Sequence, residues 1–522
     1  MQILEILILL ALLPVLAGFF FSRRRRPAWL RTLPSLALLL TIIDLALGEY
    51  RWQMVPAYAL VVLVCLLALR KPPTDTAKSS WWRAAGRIVG AALALLVYAL
   101  TIFLAAGVPV FQDPATTGAY SVGTTRLFFV DSSRKDPFAP TPNTPRKLLA
   151  AVWYPAQVAA DAKPEPFWPG DSAAGPALSR LLHTPPFFFS HVHLVKSRSY
   201  LDAPMAGAEK QYPVLIFSHG YGGTIWQNTP QMEELASHGF IVLSLGHTYE
   251  SGAVPFPDGT VVPMSQARIE ALMKSAGTPE MAALFKRLQE TNDPAEIRRI
   301  SMRVLALSAP MNDSLSLWTA DTAYLMDELE KIDAGEAAGV AGPVGQFTGR
   351  LDLTRLGVLG MSFGGATAGE ICVQDPRCKA GLNLDGGQFG DLVDHPLAVP
   401  FLYFTSEGNK MNDPIYESSR ADLYSVHVHR STHLNFTDLS LALPGFKWIT
   451  LQGMSLLGRI QAKEMEHIMN AYTVAFFGKY LQGKPEPLLD GPPPTDEFPD
   501  VAFTARKAPA AVATPSSAAS PR

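Results

Sequence analysis

Gly360-Met361-Ser362-Phe363-Gly364 matches the pattern G-x-S-x-G, and Gly365 follows it. So short a pattern is weak alone, but its surroundings strengthen it. An apolar run over residues 356–359 reads as a strand directly before it, and residues 363–373 read as a helix directly after. A serine on such a strand–turn–helix is held in a strained turn with its hydroxyl above the sheet edge. The flanking glycines let strand and helix approach, and the first N–H groups of the helix face a developing oxyanion. The bland alternative is an ordinary glycine-rich strand–helix turn.

A serine hydroxyl is too weakly acidic to attack unaided, so a histidine base and an orienting acid must accompany it, here in the chain order Ser, acid, His. Downstream histidines are His395, His427, His429, His433 and His467. His427 and His429 fall within a strand pattern at 425–429 and read as packed strand residues. His433, in Ser431-Thr432-His433-Leu434-Asn435-Phe436 just past that strand, is the expected base. Two positions compete for the acid. Asp385 ends the strand pattern 380–384 and faces Gly386-Gly387, whereas Glu407 and Asp413 follow the next strand, the more usual place. The residues alone leave these near even, with Asp391 and Asp394 read as solvated loop charges. The second oxyanion donor is expected after an earlier strand, where Phe217-Ser218-His219-Gly220-Tyr221-Gly222-Gly223 runs from a buried strand into a glycine-rich turn. The expected donors are therefore the backbone N–H groups of Tyr221 and Phe363. His219 precedes the serine and reads as a brace for this loop.

The elements that must position these groups alternate along the chain. Strand patterns lie at 125–130, 148–154, 214–217, 241–245, 356–359, 380–384, 399–404 and 425–429, and helical patterns at 231–237, 321–332 and 363–373. Strands alternating with helices predict a mostly parallel sheet covered on both faces. A charged, helix-prone stretch at 264–317 interrupts the alternation and reads as an insertion capping the sheet. This domain is expected over 113–485, with 486–522 a Pro/Ala/Ser-rich disordered tail.

Residues 1–112 are different in kind. They hold eleven Lys/Arg against four Asp/Glu, while the remainder holds 33 against 42. Four apolar stretches, 3–21, 32–48, 54–69 and 88–110, have or approach the length of a membrane span; a buried hairpin is the alternative for the middle pair. Arg23-Arg24-Arg25-Arg26 follows the first stretch where a signal peptide would show a small-residue cleavage site. The first loop (with Arg31) and the third (Arg70, Lys71, Lys78, Arg83, Arg87) are basic. The second has only Arg51 against Glu49. The positive-inside rule then puts the N-terminus and everything after Gln112 on the non-cytoplasmic side of a multi-pass membrane protein. Glu5 and Asp44 read as helix–helix contacts or near-interface residues, with a polar pathway as the sharper alternative.

The whole 522-residue chain has 48% hydrophobic and 17% charged residues and a formal charge of −2, which excludes general disorder and offers no basic field for nucleic acid. Three cysteines exclude a disulfide-dense scaffold or a multi-Cys metal site. Cys372 and Cys378 read either as a small-loop disulfide or as two buried thiols. Neither a metal-ligand cluster nor a phosphate-cradling loop stands out, so no cofactor or metal is expected. Pro185-Pro186-Phe187-Phe188-Phe189 and Phe446-Lys447-Trp448-Ile449 read first as core, with lipid contact or an acyl pocket as the alternative.

Several segments together resemble the plasma-type platelet-activating factor acetylhydrolase family (lipoprotein-associated phospholipase A2) of the α/β-hydrolase fold. They are Phe217–Gly223, Leu235-Ala236-Ser237-His238-Gly239-Phe240-Ile241-Val242, Ser362-Phe363-Gly364-Gly365-Ala366-Thr367, Leu384-Asp385 and His433-Leu434-Asn435-Phe436. The likeness runs over about residues 122–480. It implies a calcium-independent serine esterase acting on short or oxidised sn-2 acyl esters of phospholipids. It also favours Asp385 as the acid, because in that family the acid follows the strand directly after the nucleophile helix. Met361, where the family commonly has His, the segment after Asp385 and the apolar front end depart from the pattern and bear on acyl and headgroup preference. The expected partner is a phospholipid or other lipid ester. The alternatives are a general carboxylesterase, polyester hydrolase or peptidase, or, in another class, a membrane sensor or transporter carrying a decayed hydrolase domain.

Overall fold

The computed structural model describes residues 2–20, 27–70, 81–170, 172–448, 450–451 and 454–508. Its front end is four apolar helices: α1 (Ile3–Gly18), α2 (Leu33–Ala46), α3 (Val55–Leu69) and α4 (Trp81–Gly107). Three helical stretches, Ala28–Ala46, Trp52–Leu69 and Ala84–Gly107, are long and apolar enough to cross a membrane. The expected first span is shorter than its sequence suggested. α1 has 16 residues with Pro14 inside, about 24 Å of rise against about 30 Å of hydrocarbon. Arg23–Arg26, Lys71 and Lys78, which the expected orientation used, lie outside the described residues. The helices pack through Ile8, Leu12, Ala57, Val61 and Val64, while Leu10, Leu39, Leu63 and Leu96 face outward.

One end of this bundle is tied together by charge. Arg51, between α2 and α3, donates from Nε to Glu5 Oε1 at 2.5 Å and from Nη2 to Glu5 Oε2 at 2.8 Å, and its Nη1 reaches the Val108 carbonyl just after α4 at 2.8 Å. Both side chains are fully buried. The same end rests on the sheet domain. Trp52 Nε1 donates to the Phe188 carbonyl at 2.9 Å and packs against Phe187 and Phe188, and Gln53 Nε2 donates to His191 Nδ1 at 3.1 Å. Phe188 in turn meets Phe446. The two aromatic segments therefore form a seam with the bundle, with Ile449 outside the described residues.

After α4 the chain builds strands β1 (Ser121–Lys135), β2 (Pro145–Ala156), helix α5 (Ala174–Leu181), β3 (Ser199–Leu201), β4 (Tyr212–Ser218), α6 (Thr229–Ser237), β5 (Ile241–Gly246) and a hairpin of β6 (Ala253–Pro255) and β7 (Val261–Pro263). Four helices follow: α7 (Gln266–Ala276), α8 (Pro279–Glu290), α9 (Pro294–Leu307) and α10 (Ala309–Ala334). Then come β8 (Leu351–Met361), α11 (Phe363–Gln374), β9 (Cys378–Leu384), β10 (Phe401–Ser406), α12 (Asp413–Tyr416), β11 (Leu423–Val428), α13 (Leu439–Ala442), the short pair β12 (Thr450–Leu451) and β13 (Met454–Ser455), α14 (Ala462–Gln482) and β14 (Val501–Arg506). Ten strands form one sheet in the order β14-β11-β10-β9-β8-β4-β5-β2-β1-β3, parallel from β5 through β11.

Both faces of the sheet are covered, which is why its central strands are apolar throughout rather than alternating. On β4, Leu215 and Phe217 pack with α6 and α14 through Met232, Leu235, Ile468 and Phe476, while Val214 and Ile216 pack with α10 and α11 through Leu325, Leu329 and Ile371.

Two domain boundaries differ from expectation. Part of the tail expected to be disordered is ordered: Val501–Arg506 pairs antiparallel with β11, because that strand would otherwise leave an open edge. Residues 509–522 lie outside the described ones. The insertion also has no boundary at Leu317, since α10 runs unbroken from Ala309 to Ala334 and delivers its C-terminal half to the core.

Four acids, Asp113, Glu233, Asp438 and Glu466, are buried where the linker after α4 meets α6, α13 and α14. Burial pushes the Glu466 carboxyl up to about 8, and burial followed by the Glu466 charge raises Asp438 well above the usual range. A carboxyl raised on folding takes up a proton between its unfolded and folded pKa, so stability falls as pH rises through that window. Glu466→Gln, neutral at every pH, is expected to gain on wild type between about pH 5 and 8, by up to about 1.4 kcal/mol per pH unit in equilibrium unfolding. Parallel stability curves would show that Glu466 folds ionised. At the bundle end, Arg51→Ala is expected to cost about 3–5 kcal/mol by leaving Glu5 buried alone, and the Glu5→Leu/Arg51→Met pair much less. Thermal unfolding in detergent measures both, and equal losses would remove the ion pair from the account of this end.

Candidate active site

β8, β9 and β11 end on one edge of the sheet, and Ser362, Asp385 and His433 stand just beyond their ends. Ser362 occupies the turn into α11 at φ 55° and ψ −118°, a strained conformation for a residue with a side chain. The turn closes because its neighbours lack side chains. A Cβ on Gly364 would sit 1.9 Å from the Ser218 carbonyl oxygen at the end of β4, and one on Gly360 would sit 2.2 Å from the Gly364 backbone. Hydrogen bonds then fix the turn, as Ser362 N donates to the Leu384 carbonyl at 2.9 Å and Gly365 N to the Ser362 carbonyl at 2.9 Å.

Ser362 Oγ lies 2.8 Å from His433 Nε2, and His433 Nδ1 lies 2.8 Å from Asp385 Oδ2. A carboxylate only accepts, so Nδ1 carries the imidazole proton and Nε2 accepts from the serine hydroxyl. Asp385, itself at φ 56°, is buried and its acceptor sites are filled. Oδ1 takes Ser406 N at 2.7 Å and Asn409 Nδ2 at 2.8 Å, and Oδ2 takes Ser406 Oγ at 2.9 Å beside the histidine. The acid is thus dry and held, with 1% of its side chain exposed, whereas the His433 side chain is 46% exposed and open to an incoming molecule. The His433 turn is braced from behind by Asn435, whose Oδ1 accepts from Thr432 N at 2.8 Å and Gly458 N at 2.7 Å.

The competing positions are occupied elsewhere. Asp413 accepts from Tyr403 Oη at 3.0 Å and Glu407 from Arg430 N at 3.0 Å. His427 bonds Thr405 and packs on His429, His395 meets the Asp391 carbonyl, and His467 lies on Phe498. Cys372 and Cys378 are joined in a disulfide across the turn after α11. Among the described residues no group of three or more His, Cys, Asp or Glu is arranged to hold a metal ion.

The loop after β4 faces Ser362: a Cβ on Gly220 would meet Met361 Sδ at 3.1 Å and Ser362 Cβ at 3.3 Å. Among the described residues neither the Tyr221 nor the Phe363 amide donates to a protein acceptor. Their side chains touch edge to face with ring centroids 5.5 Å apart. His219 is buried in the base of this loop, donating from Nδ1 to the Gly220 carbonyl at 2.7 Å and meeting Ser251 Oγ at 2.7 Å; burial, then the neighbouring His247, lowers it to about 3.

Sequence reasoning missed a second layer behind this loop. Ser218 Oγ meets His247 Nε2 at 3.2 Å, and His247 Nδ1 meets Asp321 Oδ2 at 3.0 Å. Burial alone would raise the Asp321 carboxyl, but Arg146, donating at 2.6 Å, and His247 hold it well below the usual range. Also missed were Ser406 and Asn409 on the acid, and Glu250, a lone acid in an irregular turn. Asp321 and Arg146 are 175 positions apart, and no spacing signals such a pair.

A family model described as platelet-activating factor acetylhydrolase, isoform II, matches residues 107–487. The platelet-activating factor acetylhydrolase of Cavia porcellus is 26% identical over 382 residues, covering 70% of this chain and 78% of its own. That of Bos taurus is 25% identical over 397 residues, covering 73% and 80%. A probable 1-alkyl-2-acetylglycerophosphocholine esterase of Arthroderma benhamiae is 30% identical over 168 residues, covering 28% and 43%. Among solved structures, a ferulic acid esterase from Streptomyces cinnamoneus superposes with a TM-score of 0.56 at 25% identity, over 75% of this chain and 99% of its own. A mixed α/β fold of this topology, matched to the family model over most of its length and to an esterase in three dimensions, identifies the chain as an α/β-hydrolase-fold ester hydrolase belonging to the platelet-activating factor acetylhydrolase, isoform II, family.

Proposed function

We propose that Ser362, His433 and Asp385 are the catalytic triad, with the Tyr221 and Phe363 amides as the oxyanion hole. The observation that carries this reading is the unbroken line of hydrogen bonds from the Ser362 hydroxyl through His433 to a buried, fully satisfied Asp385. In the first half-reaction Ser362 Oγ bonds to the ester carbonyl carbon while its proton passes to His433 Nε2. The carbonyl oxygen becomes an oxyanion and turns to the two free amides. Asp385 keeps Nδ1 protonated and stabilises the imidazolium. Collapse breaks the bond to the alcohol, which leaves with the proton from His433. Water, deprotonated by the same nitrogen, then releases the acid and restores the serine.

The substrate proposed is a phospholipid with a short or oxidised sn-2 acyl chain. Support comes from the names of the curated relatives and from the front end, whose helices are apolar on their outward faces as well as at their contacts. We place those helices in a membrane, with the hydrolase domain on the non-cytoplasmic side. The start of α1, the α2–α3 loop and the end of α4 meet at Glu5, Arg51 and Val108, and Arg31 before α2 and Arg70 after α3 lie at the other helix ends, which the positive-inside rule puts on the cytoplasmic side. The Cys372–Cys378 disulfide suits an oxidising compartment. A tether would raise the local concentration of lipid ester at the site. The ferulic acid esterase likeness favours a second reading, a carboxylesterase for other esters.

Ser362→Ala is expected to abolish hydrolysis and labelling by a fluorophosphonate probe. Asp385→Asn should lower kcat by about 10³–10⁴-fold, while Glu407→Gln and Asp413→Asn stay near wild type. Turnover of an oxidised phospholipid, a short nitrophenyl ester and a feruloyl ester by the same preparation separates the two substrate readings. Full activity in Ser362→Ala would remove the mechanism.

A further inference from the structure

The Tyr221 amide sits in a turn of four residues containing three glycines, a segment with little intrinsic stiffness. Something outside the turn must hold that peptide plane. The side chain of the same residue is held firmly. Its ring stacks on Trp318 at 5.9 Å with the planes 5° apart, its edge meets Phe363, and its hydroxyl donates to Glu250 Oε1 at 2.9 Å. Glu250 is fully buried and collects further donors: Arg268 Nε at 3.0 Å and Ser314 Oγ at 2.5 Å on Oε1, and Trp318 Nε1 at 2.8 Å on Oε2. Its own carbonyl accepts from Gly222 N at 3.0 Å. Glu250 thus grips the glycine turn at two adjacent residues, Tyr221 through its carboxylate and Gly222 through its backbone carbonyl. The carboxylate is itself gripped by α7, which carries Arg268, and by α10, which carries Ser314 and Trp318.

We infer that Glu250 is a positioning residue. Through the Tyr221 hydroxyl and the Gly222 amide it sets the direction of the Tyr221 N–H, and the inserted helices α7 and α10 act on catalysis through it. This inference rests on the reading of Ser362 as nucleophile and of the Tyr221 amide as oxyanion donor. An amide aimed at the oxyanion contributes in the transition state and little to ground-state binding, so a loss of aim falls on kcat. Arg268 holds the carboxylate's charge inside the protein, where three uncharged donors alone would leave it unbalanced. The insertion is then more than a cap over the sheet, because without it the oxyanion turn has no fixed wall.

The test uses the full-length protein in detergent with a soluble short-chain nitrophenyl ester, so that membrane access plays no part. Tyr221→Phe keeps the stacked ring and removes only the hydroxyl. Glu250→Gln keeps the shape and removes the charge. Both are expected to lower kcat by about 10–100-fold with KM within about twofold of wild type. Affinity for a trifluoromethyl ketone, which forms a tetrahedral oxyanion on the serine, should weaken by the same factor. A purely structural role would lower the amount of folded enzyme without weakening the ketone on what remains. Wild-type kcat in Tyr221→Phe, or a change confined to KM, overturns the inference. If Glu250→Gln does not fold, Tyr221→Phe alone decides. Ser362→Ala is run alongside: if it is inactive while Tyr221→Phe is unaffected, only the positioning role fails, whereas activity in Ser362→Ala removes the mechanism beneath it.

Discussion

Parallel neighbours share an end. β8, β9, β10 and β11 run side by side in one direction, so each releases the chain at the same rim of the sheet, one strand spacing of about 4.8 Å from the next. Ser362 leaves β8 and Asp385 leaves the adjacent β9, while His433 comes from beyond β11 and turns back between them. That constraint explains why three residues separated by 23 and 48 positions fall within hydrogen-bond reach without any local motif joining them. It also explains why close backbone contact is required under the serine. α11 must begin almost on top of the end of β4, and only a residue without a side chain fits at Gly364.

Two hydrogen-bonded lines of serine, histidine and aspartate stand among the described residues, and burial tells them apart. In Ser218–His247–Asp321 every side chain is sealed from solvent, the aspartate is matched by Arg146, and the imidazole is stacked on Trp318 at 3.8 Å. Burial lowers His247, which links the end of β4 at Ser218 to α10 at Asp321. In Ser362–His433–Asp385 the aspartate is equally dry, but the histidine is half exposed and, among the described residues, no Lys or Arg pairs with the aspartate. A fixed carboxylate behind an accessible imidazole is the arrangement that proton transfer to a substrate requires.

The front end and the hydrolase domain are joined by more than the linker. Arg51, Trp52 and Gln53 reach Glu5, Val108, Phe188 and His191, so the loop between two apolar helices belongs to the packing of both parts. The aromatic segment at 185–189, which composition alone allows as either core or lipid contact, sits mostly in this seam, with Phe187 still half exposed.

What was legible in the residues was local. The elbow glycines, the apolar runs of the central strands and the aspartate and histidine loops each carry their signal within a few positions, since strand periodicity and turn chemistry are properties of short segments. The choice between Asp385 and the Glu407/Asp413 pair needed either the family likeness or the coordinates, because all three acids follow strands and only packing decides which one faces the imidazole. The closing strand β14 was hidden in a Pro- and Ala-rich tail, as an edge strand is selected by the partner it completes and not by its own hydrophobicity. Glu250, Arg146 and Asp321 carried no signal either. The cost of burying their charges is met largely by partners tens to hundreds of positions away, and contacts of that range exist only once the chain has folded.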